Sequence, residues 1–275
     1  MNSHRITGAA SAVALTLLIA LTGTGTAHPA PRPAGPAYVA LGDSYSSGVG
    51  AGSYQDGDCK RSSKAYPALW AAAHAPASFA FTACSGARTG DVLGKQLAPL
   101  TASTGLVSVS VGGNDAGFSD TMSSCVLGDD RSCLDKIATA SAFIRGQLPA
   151  KLDAVYDAID SKAPHAHVVV LGYPRFYKPD ATTCAGLSET KRTAINKAAD
   201  LLDSVIADRA AAHGFAYGDV NTTFKGHELC SGSPWLHSVA FPIDESYHPT
   251  AGGQSGGYLP VLTSAARVAA RAATR

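Results

Sequence analysis

Short apolar and β-branched runs alternate along this chain with longer stretches of helical period, and that alternation constrains its fold more than any other feature. The strand candidates are Tyr38–Leu41, Phe79–Ala83, Leu106–Val111, His167–Leu171 and Phe215–Val220. Three consecutive valines in His167–Leu171 suit a strand covered on both faces rather than one wetted on alternate residues. Between the strands, Ala65–His74, Thr139–Ser161 and Ser188–His213 are predicted as helices. In the second, Ile144, Leu148, Leu152, Val155 and Ile159 recur every three or four residues. In the third, Ser188 is positioned as an N-cap ahead of Ile195, Ala199, Leu202 and Ile206. A last helix is expected from Tyr258 to Ala273. Strands alternating with helices imply an α/β fold with a central parallel sheet, covered on both sides. Gly48–Ser63 and Ser119–Asp135 read as surface loops.

The N-terminus reads as an export signal. Arg5 precedes an apolar stretch from Thr7 to Leu21, and Gly25 and Ala27 place small residues at a cleavage site. The apolar run is shorter than the roughly 18 residues that a membrane-spanning helix needs, so no stable membrane anchor is expected. The expected organisation is a signal peptide over 1–27, a leader over 28–36 containing Pro31, Pro33 and Pro36, and one domain over 37–275. Cleavage after Ala27 removes one charge and leaves 21 basic and 21 acidic residues. A chain so balanced has no field suited to a polyanion, which argues against nucleic-acid binding. Nothing in the sequence calls for a second subunit, and a monomer is the expectation. The six cysteines, Cys59, Cys84, Cys125, Cys133, Cys184 and Cys230, form neither a zinc module nor a redox CxxC pair; in an exported chain they suggest disulfides.

Four segments carry candidate chemistry. Gly42-Asp43-Ser44-Tyr45-Ser46 follows the first strand, Cys84-Ser85-Gly86 the second, and Gly112-Gly113-Asn114-Asp115 the third. In a parallel α/β sheet all three fall at the carboxyl edge, where ligands bind. Ser44 is a candidate nucleophile. The backbone N–H groups of Ser44 and Gly86 and the amide of Asn114 are neutral donors suited to an oxyanion, each such donor contributing about 2.7–4 kcal/mol in a transition state. The fourth segment, Asp244-Glu245-Ser246-Tyr247-His248-Pro249, offers His248 as the general base that a serine hydroxyl requires. His227 and His237 are the competing histidines. Gly253-Gln254-Ser255-Gly256-Gly257 matches the GxSxG pattern, but no strand precedes it and no histidine follows it, so Ser255 reads as a loop or helix start. Asp56, Asp58, Asp129 and Asp130 lack calcium-ligand spacing and read as solvated loop charge. Trp235 and Phe241 are candidates either for an acyl site near His248 or for ordinary packing.

Ser44 in GDSYS, Gly86, Asn114 in GGND and His248 in YHP resemble, in order and spacing, the SGNH (GDSL) hydrolases, across nearly the whole mature chain. The six cysteines and the Cys230–Trp235 segment are similar to those of the secreted actinobacterial lipases and phospholipases of that family. The resemblance implies a flavodoxin-like three-layer α/β/α sandwich and the bridges Cys59–Cys84, Cys125–Cys133 and Cys184–Cys230. It also implies cofactor-free and metal-free hydrolysis through an acyl-serine. Many members carry Asp three residues before the histidine, where this chain has Glu245 with Asp244 beside it. In some secreted relatives a backbone carbonyl, here that of Ser246, orients the imidazole instead, so all three remain candidates for the third catalytic member. The function expected is a secreted esterase or lipase acting on acyl lipids, triacylglycerol or phospholipid. The alternatives are a carbohydrate O-acetylesterase and, outside enzymes, an inactive secreted binding protein.

Overall fold

The structure, a computed structural model, describes Met1 and residues 35–272, so the expected signal peptide and most of the leader lie outside the described residues. Five strands form one parallel sheet: β1 (Ala37–Gly42), β2 (Phe79–Phe81), β3 (Thr104–Ser110), β4 (His167–Leu171) and β5 (Ala216–Gly218). Their order, β2-β1-β3-β4-β5, is that of a flavodoxin-like sheet. Val168, Val169 and Val170 are each at most 2% exposed, as a centrally placed strand with helices on both faces requires. Helices α2 (Tyr66–His74) and α9 (Leu259–Ala272) pack on one face, and the short helices α3 (Thr89–Asp91) and α8 (Asn221–Phe224) follow β2 and β5 in the chain. Helices α5 (Asp130–Gly146), α6 (Leu148–Lys162) and α7 (Glu189–Ala212) pack on the other.

Several boundaries differ from the sequence expectation, each for a local reason. The segment Ser119–Asp135 is not a loop: α4 (Phe118–Leu127) runs through it and α5 begins at Asp130. Its polar composition conceals the helices because Asp129 works as an N-cap, accepting from the Ser132 N–H, and a Cys125–Cys133 disulfide joins the two helices. The buried Lys191 amine of α7 donates to the carbonyls of Cys125 and Gly128, satisfying acceptors left free where α4 ends. The helix expected over Thr139–Ser161 is two helices meeting at Gln147, with Pro149 in the first turn of α6, where its missing N–H costs nothing. Helix α7 starts as expected, with the Ser188 hydroxyl accepting from Lys191 N–H. A π-helical turn, Gly253–Tyr258, precedes α9. Disulfides also join Cys59 to Cys84 and Cys184 to Cys230.

The end of β1 is the most constrained turn in the fold. Gly42 has φ +124°, and a Cβ there would lie 2.4 Å from the Ser110 carbonyl oxygen of β3. Its N–H donates to Gln96 Oε1 at 2.7 Å and its carbonyl accepts from Gln96 Nε2 at 2.9 Å, so one buried amide holds both polar groups of this residue. Helix α1 (Ser44–Ser47) then starts at once, with Asp43 as N-cap. Gly42→Ala is expected to lower unfolding stability by about 3 kcal/mol, from the left-handed φ and the clash together, read as a reduced urea midpoint.

Candidate active site

Strands β1 and β3 are adjacent in the sheet, and the chain leaves them in different directions, one crossover leading to β2 and the other to β4. A crevice opens at their carboxyl ends. Ser44 sits there, the first residue of α1 and 6% exposed. Across from it, 204 residues later in the chain, His248 brings Nε2 to 2.7 Å from the Ser44 hydroxyl oxygen. The other ring nitrogen, Nδ1, is 3.1 Å from the Ser246 carbonyl oxygen. A carbonyl can only accept, so Nδ1 carries the proton and Nε2 is left to accept from the serine hydroxyl. Burial pushes the His248 pKa down to about 4, against smaller opposing effects of the Ser246 carbonyl and the Asp244 charge, so the ring is neutral near pH 7.

Neither nearby carboxylate reaches the imidazole. Asp244 pairs with Lys60, whose ammonium holds its carboxyl below the ordinary range, and Glu245 accepts from the Tyr54 hydroxyl at 2.6 Å. Both contacts run to the Gly48–Ser63 loop, so these acids fasten the histidine-bearing segment to that loop. Tyr45 fastens it from the other side: its hydroxyl donates to the Tyr247 carbonyl at 2.7 Å, and its ring lies 5.2 Å from the His248 ring. The competing histidines are engaged elsewhere, His237 with the Gly50 carbonyl and His227 with the Ser233 carbonyl.

The three expected oxyanion donors lie beyond the carboxyl ends of β1, β2 and β3. Asn114 Nδ2 donates to the Ala87 carbonyl at 3.1 Å, which fixes the amide and leaves its second hydrogen available. Gly86 has φ +74°, and the space a Cβ would fill is open. Glycine therefore serves the left-handed turn here, rather than the close approach of a neighbour. Among the described residues, the N–H groups of Ser44 and Gly86 meet no protein acceptor. The Cys59–Cys84 disulfide and a Ser85 N–H to Cys59 carbonyl bond at 3.0 Å tie the Gly86 turn to the Gly48–Ser63 loop.

Two contributors were invisible in the motifs. Tyr173, just beyond β4, donates its hydroxyl to Asp43 Oδ2 at 2.6 Å and accepts from the Gly113 N–H at 3.3 Å, so it couples the serine turn to the asparagine turn. Burial raises the Asp43 pKa to about 7, against the lowering effect of the Tyr173 and Tyr45 hydrogen bonds. The buried Gln254 is the second: it accepts from Tyr66 N–H and donates to the Tyr45 carbonyl. Its neighbour Ser255 is exposed, and its hydroxyl donates to the Gly252 carbonyl rather than to a histidine.

From Ser44 and Asn114 a narrow apolar cleft runs between α4, α5 and α7. Phe118, Met122, Ile137, Ile144, Ile195 and Leu202 form its walls. Neither Trp235 nor Phe241, candidates for an acyl site or for ordinary packing, lines this cleft. Trp235 stacks on His227 at 3.6 Å between ring centres and packs against Phe224, whereas Phe241 is exposed. Asp56 and Asp129 accept backbone N–H groups in their own turns, and Asp130 accepts from the Ser188 hydroxyl. Among the described residues no three His, Cys, Asp or Glu side chains are grouped to hold a metal ion.

Comparison with known proteins agrees with this geometry. Residues 40–255 match the GDSL-like Lipase/Acylhydrolase family. Lipase 1 of Streptomyces coelicolor is 68% identical over 269 residues, which cover 97% of this chain and all of that protein. The crystal structure of an extracellular lipase from Streptomyces rimosus superimposes with a TM-score of 0.82 at 68% identity, covering 84% of this chain and 99% of that one. Phospholipase A1 from Streptomyces albidoflavus NA297 gives 0.82 at 64% identity, with the same coverage. With its serine, glycine, asparagine and histidine segments meeting at one sheet edge, this chain belongs to the GDSL-like lipase/acylhydrolase family.

Proposed function

We propose that this protein is a secreted lipase that hydrolyses carboxylic esters of acyl lipids through an acyl-serine formed at Ser44. The 2.7 Å contact between Ser44 Oγ and His248 Nε2, at the mouth of an apolar cleft, carries the reading. Similarity to an extracellular lipase and three disulfides support an exported enzyme.

The reaction follows from the atoms in place. His248 Nε2 takes the serine proton as Oγ attacks the ester carbonyl. Charge developing on the carbonyl oxygen is met by the N–H groups of Ser44 and Gly86 and by the Asn114 amide, all set by the fold before substrate arrives. The imidazolium returns its proton to the leaving alkoxide, and a water activated by His248 then cleaves the acyl-serine. The Ser246 carbonyl acts as the third member: it fixes the tautomer through Nδ1–H. Tyr45 is a positioning residue for the imidazole, holding the Tyr247 carbonyl one residue before it.

The cleft decides among ester classes. A long acyl chain covers its apolar walls, while an acetyl group would reach only the Ser44 end and leave the rest wet, which disfavours the O-acetylesterase reading. The head group lies outside the cleft, so triacylglycerol and phospholipid both fit. An inactive binder would have no use for a neutral histidine hydrogen-bonded to a serine hydroxyl.

Ser44→Ala is expected to abolish hydrolysis and fluorophosphonate labelling while leaving the circular-dichroism spectrum unchanged; turnover like that of the parent would refute the nucleophile assignment. Glu245→Gln and Asp244→Asn should each leave kcat within about tenfold, because the carboxylates act on loop position. A loss on the order of ten thousandfold in either would transfer the orienting role to that acid. Ala140→Phe, which narrows the cleft from α5, should lower kcat/KM for long-chain p-nitrophenyl esters by roughly tenfold or more relative to butyrate. An unchanged chain-length profile would place the acyl chain elsewhere.

A further inference from the structure

The segment between His237 and His248 leaves the protein surface and returns. Its base is closed by two backbone bonds of 2.9 Å, His237 N–H to the His248 carbonyl and Tyr247 N–H to the His237 carbonyl. Within it, the Ser246 hydroxyl accepts from Ala240 N–H at 2.9 Å, and the Ser246 N–H reaches the Ile243 carbonyl, so the loop has a defined shape. The tip reads Val239-Ala240-Phe241-Pro242-Ile243 and carries no charge. Its large side chains point outward: Phe241 is 96% exposed, Ile243 65% and Val239 55%. Of the other large apolar side chains exposed among the described residues of the domain, Phe79 and Leu93 lie apart, on β2 and on a π-helical turn at Val92–Gln96, while Val126, Leu127 and Leu134 follow the cysteines of the bridge between α4 and α5, which packs as two helices rather than as one protruding loop. Leaving three such groups in water on one loop is unfavourable unless something covers them.

We propose that this loop is a lipid-surface anchor, with Val239, Phe241 and Ile243 entering the acyl region of an uncharged or zwitterionic lipid aggregate. The proposal rests on the lipase reading and adds the surface on which that enzyme works. Three observations favour a lipid surface. The tip has no cation to seek an anionic partner, and of the two adjoining acids Asp244 pairs with Lys60 and Glu245 accepts from the Tyr54 hydroxyl. The loop's base is hydrogen-bonded to His248 itself, so seating the tip brings the mouth of the Ser44 cleft to the same surface. The three side chains expose on the order of a few hundred Å², short of the about 800 Å² that each partner brings to a standard protein interface, whereas insertion into lipid needs no matching partner surface.

The test separates docking from chemistry. In the Ser44→Ala background, which cannot consume lipid, flotation with phosphatidylcholine vesicles measures partitioning of the parent and of the Phe241→Ser/Ile243→Ser double variant. The double variant should partition at least about tenfold more weakly. With Ser44 restored, the double variant should hydrolyse monomeric p-nitrophenyl butyrate within about twofold of the parent and lose roughly tenfold on vesicle phospholipid. Three results would overturn the anchor: no partitioning by the parent, equal partitioning by the double variant, or binding confined to anionic vesicles and abolished by salt. A parent dimer in sedimentation that the double substitution dissociates would also overturn it, in favour of a second copy. Ester hydrolysis that survives Ser44→Ala would instead defeat the lipase reading, whatever the vesicles show.

Discussion

One hydrogen bond joins the two ends of the domain, and the rest of the site exists to keep it short: the 2.7 Å contact between Ser44 Oγ and His248 Nε2. The serine is the easier half to hold. It opens a helix directly after a buried strand, and Gln96 locks the preceding glycine through both of its polar groups. The histidine lies in irregular chain, where no repeating ladder fixes it. Its position depends on contacts from several sides: the Tyr45 hydroxyl on the Tyr247 carbonyl, the His237 backbone pairing, and Tyr54 and Lys60 on the two acids. The three side-chain bonds among them join residues 202, 191 and 184 positions apart, so site geometry and tertiary fold form together.

Burial has opposite consequences for the two titratable groups flanking the serine. It disfavours the cation of His248, whose pKa falls to about 4, which keeps the base ready at neutral pH. It disfavours the anion of Asp43, whose pKa rises to about 7 even though two hydrogen bonds favour the charged form. Asp43 also caps α1, so the carboxyl that organises the serine turn is held with little solvent around it. The low polarity that makes Asp43 costly is the same property that would strengthen the proposed oxyanion donors.

Much of the scaffold was legible because burial imposes patterns. The valine run announced a doubly covered strand, the heptad-like spacing in Thr139–Ser161 announced helix, and four short motifs announced one sheet edge. The misreadings arose where local polarity and tertiary support disagree. Ser119–Asp135 looks like loop, yet the buried Met122 and Cys125, a disulfide and the Lys191 cap make it helical. Gly146-Gln147-Leu148-Pro149 did contain a break signal, overridden by the apolar period on either side of it. Tyr173 and Gln96 lie in no motif, and Gln254 is only a variable position of the GxSxG match: their roles come from partners 130, 54 and 209 residues away, respectively, which spacing along a chain cannot disclose. The apolar cleft beside Ser44 carries no motif for the same reason, since its walls come from three separate helices.

The partner of His248 Nδ1 is a peptide carbonyl, and a carbonyl neither gains nor loses a proton in water. In a triad with a carboxylate, acid can disarm the base in two ways, by protonating the ring or by neutralising the group that steers it. Here the steering oxygen is indifferent to acidity, so ring alignment persists for as long as the loop backbone keeps its shape. In the proposed mechanism the arrangement gives up a fixed negative charge opposite the transient imidazolium, and the burden of stabilising the charge-separated moment would pass to the donors around the substrate oxygen.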